Sequence, residues 1–310
     1  MVKRILLLMS LFCLLLTACA PAAPSENTDH AEEVMSFTDA LGRTVTVESI
    51  DRVGIASGSI AECWLLAGGS LCAVTRDAVE ERKLDLPADT VDLGSLKNPS
   101  LEVIFDQDLD LLILNPGYSG HLECAETLDK AGVNYAYIAM ETYEDYLTML
   151  KIFTDLTGRE ELYTTYGTDL TEHINSVVAS GKRTDSPTVL LIRTSTAKIK
   201  ALASDTMTGT MLQDLGCVNI ADSDGGLLTE LSLEAIVEAD PDYIFITCMG
   251  DFEEGKAQME SNFSSNPIWD TLQAVKNGRC FYLEKELFHY KPNARWGESY
   301  EVLAQLLADN

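Results

Sequence analysis

The chain has 310 residues and carries 22 Lys plus Arg against 49 Asp plus Glu, a net charge of −27. With 46 % apolar residues it can bury a core, which excludes a disordered acidic polymer. The acidity excludes a nucleic-acid partner, which needs a basic face to release phosphate counterions, and equally a peripheral binder of anionic lipid.

The first elements in chain order belong to targeting. Lys3 and Arg4 precede an apolar stretch over 5–16, which has the length of a signal-peptide core and is too short to span a bilayer. Leu16-Thr17-Ala18-Cys19 resembles a bacterial lipobox. Residues 1–18 therefore read as a cleaved signal peptide and Cys19 as the lipid-bearing first residue. Residues 19–35 read as a tether, rich in Ala, Pro, Ser and acids with no apolar period. The expected location is outside the cell membrane, held to it by lipid on Cys19.

An N-terminal α/β lobe is expected over 36–158. Its strands fall at 53–56, 71–75, 91–93, 111–115 and 135–138, and its helices at 60–67, 101–105, 122–131 and 143–157. Residues 159–182 contain no Pro, and Leu162, Tyr166, Leu170, Ile174 and Val178 recur at helical spacing. They predict one connecting helix of up to about 24 residues, about 36 Å long. A C-terminal lobe over 183–310 follows, with strands at 189–193, 243–247 and 280–283. Its helices are expected at 207–215, 233–239, 255–262 and 294–308. Alternating strands and helices define the fold class: α/β, two similar Rossmann-like lobes joined by one long rigid helix, with a ligand cleft between them.

One segment is repeated. SLEVIFDQDLD from Ser100 to Asp110 aligns without gaps to SLEAIVEADPD from Ser232 to Asp242, and each is followed by a continuous apolar run. Each copy reads as a Ser-capped helix, a turn, and a strand buried on both faces of a parallel sheet. Cys63, Cys72, Cys124, Cys217, Cys248 and Cys280 sit mostly in apolar runs and read as buried free thiols rather than a disulfide frame. No two Cys form a C-x-x-C pair, which disfavours zinc ribbons and thioredoxin-like sites.

Ligands of open parallel sheets bind beyond the carboxyl ends of the strands. Those ends supply Ser57, Ser59, Arg76, Lys97, Tyr118 and His121 in the first half. In the second half they supply Arg193, Met249, Phe252, His289, Tyr290 and Lys291. This mixture of aromatics, hydroxyls and cations suits a large anionic or metal-chelating ligand. Enzyme signatures are missing: there is no G-x-S-x-G, H-E-x-x-H, Walker loop or G-x-G-x-x-G. A lipid-anchored hydrolase or chelatase is thereby disfavoured, and no catalytic residue or cofactor is expected. His121 and His289, one per lobe, could serve as axial ligands to haem iron or cobalt.

In order and spacing, several motifs resemble the class III substrate-binding lipoproteins of ABC importers for iron–siderophore, haem and cobalamin. They are Phe37 to Val47, Ser59 to Gly68, Met211 to Gly216 with Asn219-Ile220-Ala221, Asn266-Pro267-Ile268-Trp269, and Ala274 to Arg279. The resemblance covers about residues 36 to 308. It implies a monomeric solute receptor that captures an iron complex, with a ferric siderophore first, haem or cobalamin as alternatives, and Tyr118, His121 or His289 as metal ligands if haem. It also implies delivery to a permease dimer powered by a cytoplasmic ATPase. Glu102 and Glu234, the aligned Glu of the repeat, match the family's permease-docking carboxylates.

Overall fold

The computed structural model describes residues 34–308, apart from 224 and 230. The signal peptide, Cys19 and the tether as far as residue 33 lie outside the described residues. From Val34 on, the chain packs as one unit.

It opens with a hairpin of β1 (Met35–Thr38) and β2 (Thr44–Val47). The turn is held by Asp39, whose buried carboxylate accepts from the backbone N–H groups of Leu41, Arg43 and Tyr137 and pairs with Arg43 at 2.8 Å. Burial alone would raise its pKa, but these hydrogen bonds hold it below the ordinary carboxylate range.

The N-terminal lobe follows. It runs through β3 (Val53–Ile55), α1 (Gly58–Leu66), β4 (Ala73–Val74), α2 (Asp77–Glu80) and β5 (Val91–Asp92). A small hairpin, β6 (Gly94–Ser95) with β7 (Asn98–Pro99), leads to α3 (Leu101–Phe105) and β8 (Leu111–Leu114). Then come α4 (Ser119–Glu123), α5 (Ala125–Ala131), β9 (Tyr135–Tyr137) and α6 (Tyr143–Thr157). The sheet order is β5-β4-β3-β8-β9, all parallel. Every residue of β3, β8 and β9 is buried, because helices cover both faces. On one face Trp64 of α1 meets Phe153 of α6 edge-on, ring centroids 5.2 Å apart. Helix α6 begins with a capping box of Thr142 and Asp145 and ends on Gly158, whose φ of +67° suits glycine at a helix C-terminus.

The link between lobes is helical from Glu160 to Gly181, as its apolar spacing predicts, but not as one uniform helix. It comprises α7 (Glu160–Tyr163), a π turn over Thr164–Thr168, and α8 (Asp169–Gly181). A one-residue bulge leaves the apolar period nearly intact, so spacing does not reveal it. Leu170 and Ile174 of α8 join a core continuous with both lobes.

The C-terminal lobe contains β10 (Thr188–Thr194), β11 (Ile199–Leu202), α9 (Met207–Asp214), β12 (Val218–Asn219), α10 (Ile220–Ser223) and α11 (Gly225–Thr229). It continues with α12 (Leu233–Ala239), β13 (Tyr243–Cys248), α13 (Phe252–Met259), α14 (Gln273–Lys276), β14 (Cys280–Tyr282), α15 (Lys285–Phe288) and α16 (Trp296–Ala308). The order is β11-β10-β13-β14, and β12 pairs with the first residues of β10. Strands β10, β12, β13 and β14 are parallel; β11 is antiparallel to β10 and was not expected from the sequence.

The repeat occupies equivalent places. Ser100 accepts from the Val103 N–H at 3.4 Å and caps α3; Ser232 accepts from the Ala235 N–H at 3.2 Å and caps α12. The strands that follow, β8 and β13, are interior strands of their sheets. Glu102 and Glu234 lie exposed in the two first turns. The six cysteines from Cys63 onward are free, and burial pushes the Cys217 and Cys280 thiols up to about 12.

Candidate functional site

A cleft of about 370 Å³ opens where the carboxyl ends of the C-terminal strands face the N-terminal lobe. Arg193 and Thr247 come from the ends of β10 and β13, Leu202 from the end of β11, and Asp205 to Thr208 from the start of α9. His289 and Lys291 follow α15, and Glu141 reaches in from the segment between β9 and α6.

Cations converge on one wall. Arg193 pairs across the ladder with Lys200 of β11, so the two side chains share a face of the sheet. Burial lowers the pKa of Lys200, and the charges of Arg193 and Lys198 add to that. The His289 imidazole is pushed down to about 4, first by burial and then by Lys285, Arg193 and Lys291. His289 is therefore neutral at pH 7 beside three cations. Arg193 is half-buried and makes no ion pair among the described residues. Burial lowers its pKa, opposed by Glu141, and a guanidinium stays charged at neutral pH. In a chain with 22 cations and 49 acids, this grouping makes the wall locally positive, although Glu141 and Asp205 also line the cleft.

Three of the expected site residues, Arg193, His289 and Lys291, line this cleft. Tyr118 stands on the opposite lobe at the start of α4, half-buried; burial raises the pKa of its phenol, as do the charges of Asp77, Glu141 and Glu81. Met249 lies exposed in the loop after β13, and Phe252, which opens α13, packs edge-on against Tyr282 at 5.7 Å.

The others are placed elsewhere. His121 is fully buried; its Nδ1 accepts from the Asn115 N–H at 2.9 Å and its Nε2 donates to the Leu96 carbonyl at 2.6 Å. Both ring nitrogens are engaged within the N-terminal lobe, so the residue supports the loop after β8 and offers no nitrogen to a haem iron. This corrects its reading as a cleft ligand. Arg76 is exposed, pairs with Asp92 at 3.1 Å, and lines a separate hollow of about 410 Å³ on the N-terminal lobe. Lys97 is exposed at the turn between β6 and β7. Ser57 is the buried residue before α1, and the Ser59 carbonyl accepts from Asn293 Nδ2 at 3.0 Å. Tyr290 is occupied by the cations of Lys285 and Arg82, 4.7 and 5.6 Å from its ring centroid.

Sequence reading missed Glu141, Lys200 and the Asn293 contact. Glu141 lies beyond the end of the fifth strand, where the strand-end rule applies as it does to the other four. Lys200 belongs to a strand that exists only because β10 pairs with it.

A profile of the periplasmic binding protein family matches residues 53–287, well over half of the chain. The chain belongs to this family. The binding protein is 24 % identical over 290 residues to the Fe(3+)-citrate-binding protein YfmC of Bacillus subtilis (strain 168), covering 89 % of this chain and 87 % of the relative. It is 26 % identical over 232 residues to the Petrobactin-binding protein YclQ of the same organism, covering 70 % and 67 %. Its fold matches the triscatecholate siderophore binding protein FeuA from Bacillus subtilis, complexed with Ferri-Bacillibactin, with a TM-score of 0.67 at 18 % identity. That match covers 89 % of this binding protein and 99 % of FeuA. No helix among the described residues is long and apolar enough to cross a membrane.

The depressed pKa of His289 has a measurable consequence. Its ordinary value is 6.5 and its folded value about 4. Between these the unfolded chain binds a proton that the folded binding protein does not. Stability from this group is therefore complete above pH 6.5 and is lost as the pH falls toward 4. Carboxylates titrate too, so the test is a difference. In urea unfolding, His289→Gln depends less steeply on pH between 6.5 and 4 than the wild type; identical slopes would place His289 in solvent.

Proposed function

We propose that this binding protein is the extracytoplasmic receptor of an ABC importer and captures an anionic ferric chelate, of the ferric siderophore class. The observation that carries this reading is the cationic wall of Arg193, Lys200 and Lys291 in an otherwise acidic molecule. An anionic chelate gains charge-assisted hydrogen bonds there. Tyr118, Phe252 and Met249 are the candidates for the apolar and aromatic rim that a large chelate needs. Relatives whose names specify Fe(3+)-citrate and petrobactin support the iron cargo. The lipobox-like Cys19 supports cleavage of residues 1–18 and a lipid anchor. Residues 19–35 are then the tether, 36–158 and 183–310 the lobes, and 159–182 the connecting helix. Glu102 and Glu234 supply one exposed carboxylate per lobe for a permease dimer with its cytoplasmic ATPase. The chain acts as a receptor and not as an enzyme.

The test is a thermal-shift and calorimetric screen of the detergent-solubilised protein against ferric citrate, ferric tris-catecholates, haemin and cobalamin. A chelate present at 100 times its Kd raises stability by about 2.7 kcal/mol. Stabilisation by the ferric anions and not by cobalamin is the expected result. Stabilisation by haemin or cobalamin alone overturns the assignment of cargo, and turnover of an ester or peptide without any ligand binding overturns transport itself.

A further inference from the structure

Glu141 bridges the two lobes at the cleft. It is the residue before the Thr142 cap of α6, and the N–H groups of Glu141 and Thr142 both donate to Asp145 Oδ2, at 2.8 and 3.0 Å. The capping box thus fixes the base of the side chain. From there the carboxylate reaches across: Oε2 accepts from Lys291 Nζ at 2.8 Å, and the same ammonium donates to the Glu141 carbonyl at 3.3 Å. The other oxygen lies over Gly117, 3.7 Å from where a Cβ would stand.

The two partners are unequal. The Lys291 side chain is 21 % exposed and that of Glu141 70 %. The cation is largely covered and held in place, whereas the anion projects into solvent and can swing away. An ion pair with so exposed a partner adds little stability and is readily exchanged. A ligand anion that approaches Lys291 therefore meets a carboxylate already bound there, but one that it can replace.

We propose that Glu141 is a tethered anion that occupies Lys291 in the unliganded protein and must be displaced by an anionic group of the ligand, so that it sets a minimum negative charge for binding. The proposal rests on the cleft taking an anionic chelate. A monoanion that displaces Glu141 exchanges one ion pair for another and gains nothing. A polyanion that also reaches Arg193 gains a second contact, with a cation that makes no ion pair among the described residues. Glu141 in this role is a specificity-determining residue, acting through Lys291 on what the cleft accepts.

The experiment compares wild type, Glu141→Gln, Lys291→Gln and the double variant, as full chains in detergent, by calorimetry with citrate alone and with ferric citrate at low salt. Glu141→Gln is expected to tighten both anions by about three- to tenfold. The gain should shrink in the Lys291→Gln background, because the pair it relieves is gone and only the weaker influence of Glu141 on Arg193 remains. An unchanged or weakened affinity in Glu141→Gln, or a gain undiminished without Lys291, overturns the proposal. If citrate shows the expected pattern while ferric citrate fails to bind, the iron cargo falls and the tethered anion stands. If neither anion binds to any of the four proteins, both fall.

Discussion

Arg193→Glu lowers the affinity for an anionic ferric chelate by about a hundredfold or more. Arg193 sits near the end of β10, flanked by β11 and β13, so its backbone is among the most rigid parts of the cleft. Its side chain is half-buried and makes no ion pair among the described residues. Desolvation is thus already spent in folding, and a ligand anion recovers the missing interaction. Removing one partner of a partly buried charge pair costs about 2–5 kcal/mol, which is about thirtyfold to several thousandfold in Kd. Reversal adds repulsion to that loss. Arg193→Lys keeps the charge and loses the planar fork, so its effect is smaller, on the order of tenfold. Calorimetry with ferric citrate and a ferric tris-catecholate measures both, and the far-ultraviolet spectrum and urea midpoint report whether the sheet is intact. Undiminished binding to a folded Arg193→Glu protein would put the ligand outside this cleft.

Glu102→Ala combined with Glu234→Ala abolishes uptake of labelled iron by cells while leaving ligand affinity within about twofold. Both carboxylates are exposed in the first turns of short helices and make no ion pair among the described residues. The helix starts themselves are held by Ser100 and Ser232. Loss of either Glu therefore forfeits only its interaction with the helix dipole, about 0.3–1 kcal/mol, and the lobes remain folded. The equivalent positions of α3 and α12 present one carboxylate per lobe, spaced by a core that runs unbroken through α8 and α16. Such a pair suits a receptor with two-fold symmetry. Each single variant is expected to slow uptake by about tenfold or more, the lower end of a broken interfacial charge pair. Uptake that survives in the double variant removes the docking role, and so does a parallel loss of ligand affinity.

Elements with local signals were legible. Helices α3, α6 and α12 begin and end where the sequence places them because a Ser or Thr cap stands at each start; at the end of α6 stands Gly158 in the left-handed region. Their hydrogen bonds are satisfied within a few residues of chain, so composition and spacing report them directly. Where partners are distant, the reading failed. Ile199-Lys200-Ala201-Leu202 is a strand through its pairing with β10, not through its own pattern. The expected helix over 122–131 starts three residues earlier, at Ser119, and is interrupted at Cys124. Gly120 there lies against the β6–β7 turn, where a Cβ would come within 2.2 Å of the Lys97 carbonyl.

The same division runs through the site. Strand-end positions identified Arg193, His289 and Lys291 because a parallel sheet projects its carboxyl-end loops to one side. They also nominated His121 and Arg76, whose neighbours capture them: the Leu96 carbonyl and Asn115 N–H for the imidazole, Asp92 for the guanidinium. Which side chain at a strand end faces the cleft depends on what packs beside it, and those partners are 6 to 25 residues away in the chain.

The sequence by itself determined the α/β lobes, a helical link and the repeat that carries Glu102 and Glu234, and it supplied the expectation of a targeting segment. All of these rest on periodicity and capping within windows of a few turns. Only the tertiary structure decided that Lys200 stands beside Arg193 on one face of the sheet, that Arg193 and Lys291 line one cleft, that His289 is neutral there, and that Glu141 crosses to Lys291. Those facts depend on distances between residues far apart in the chain and on the burial that sets the strength of a charge, and neither quantity is carried by local sequence.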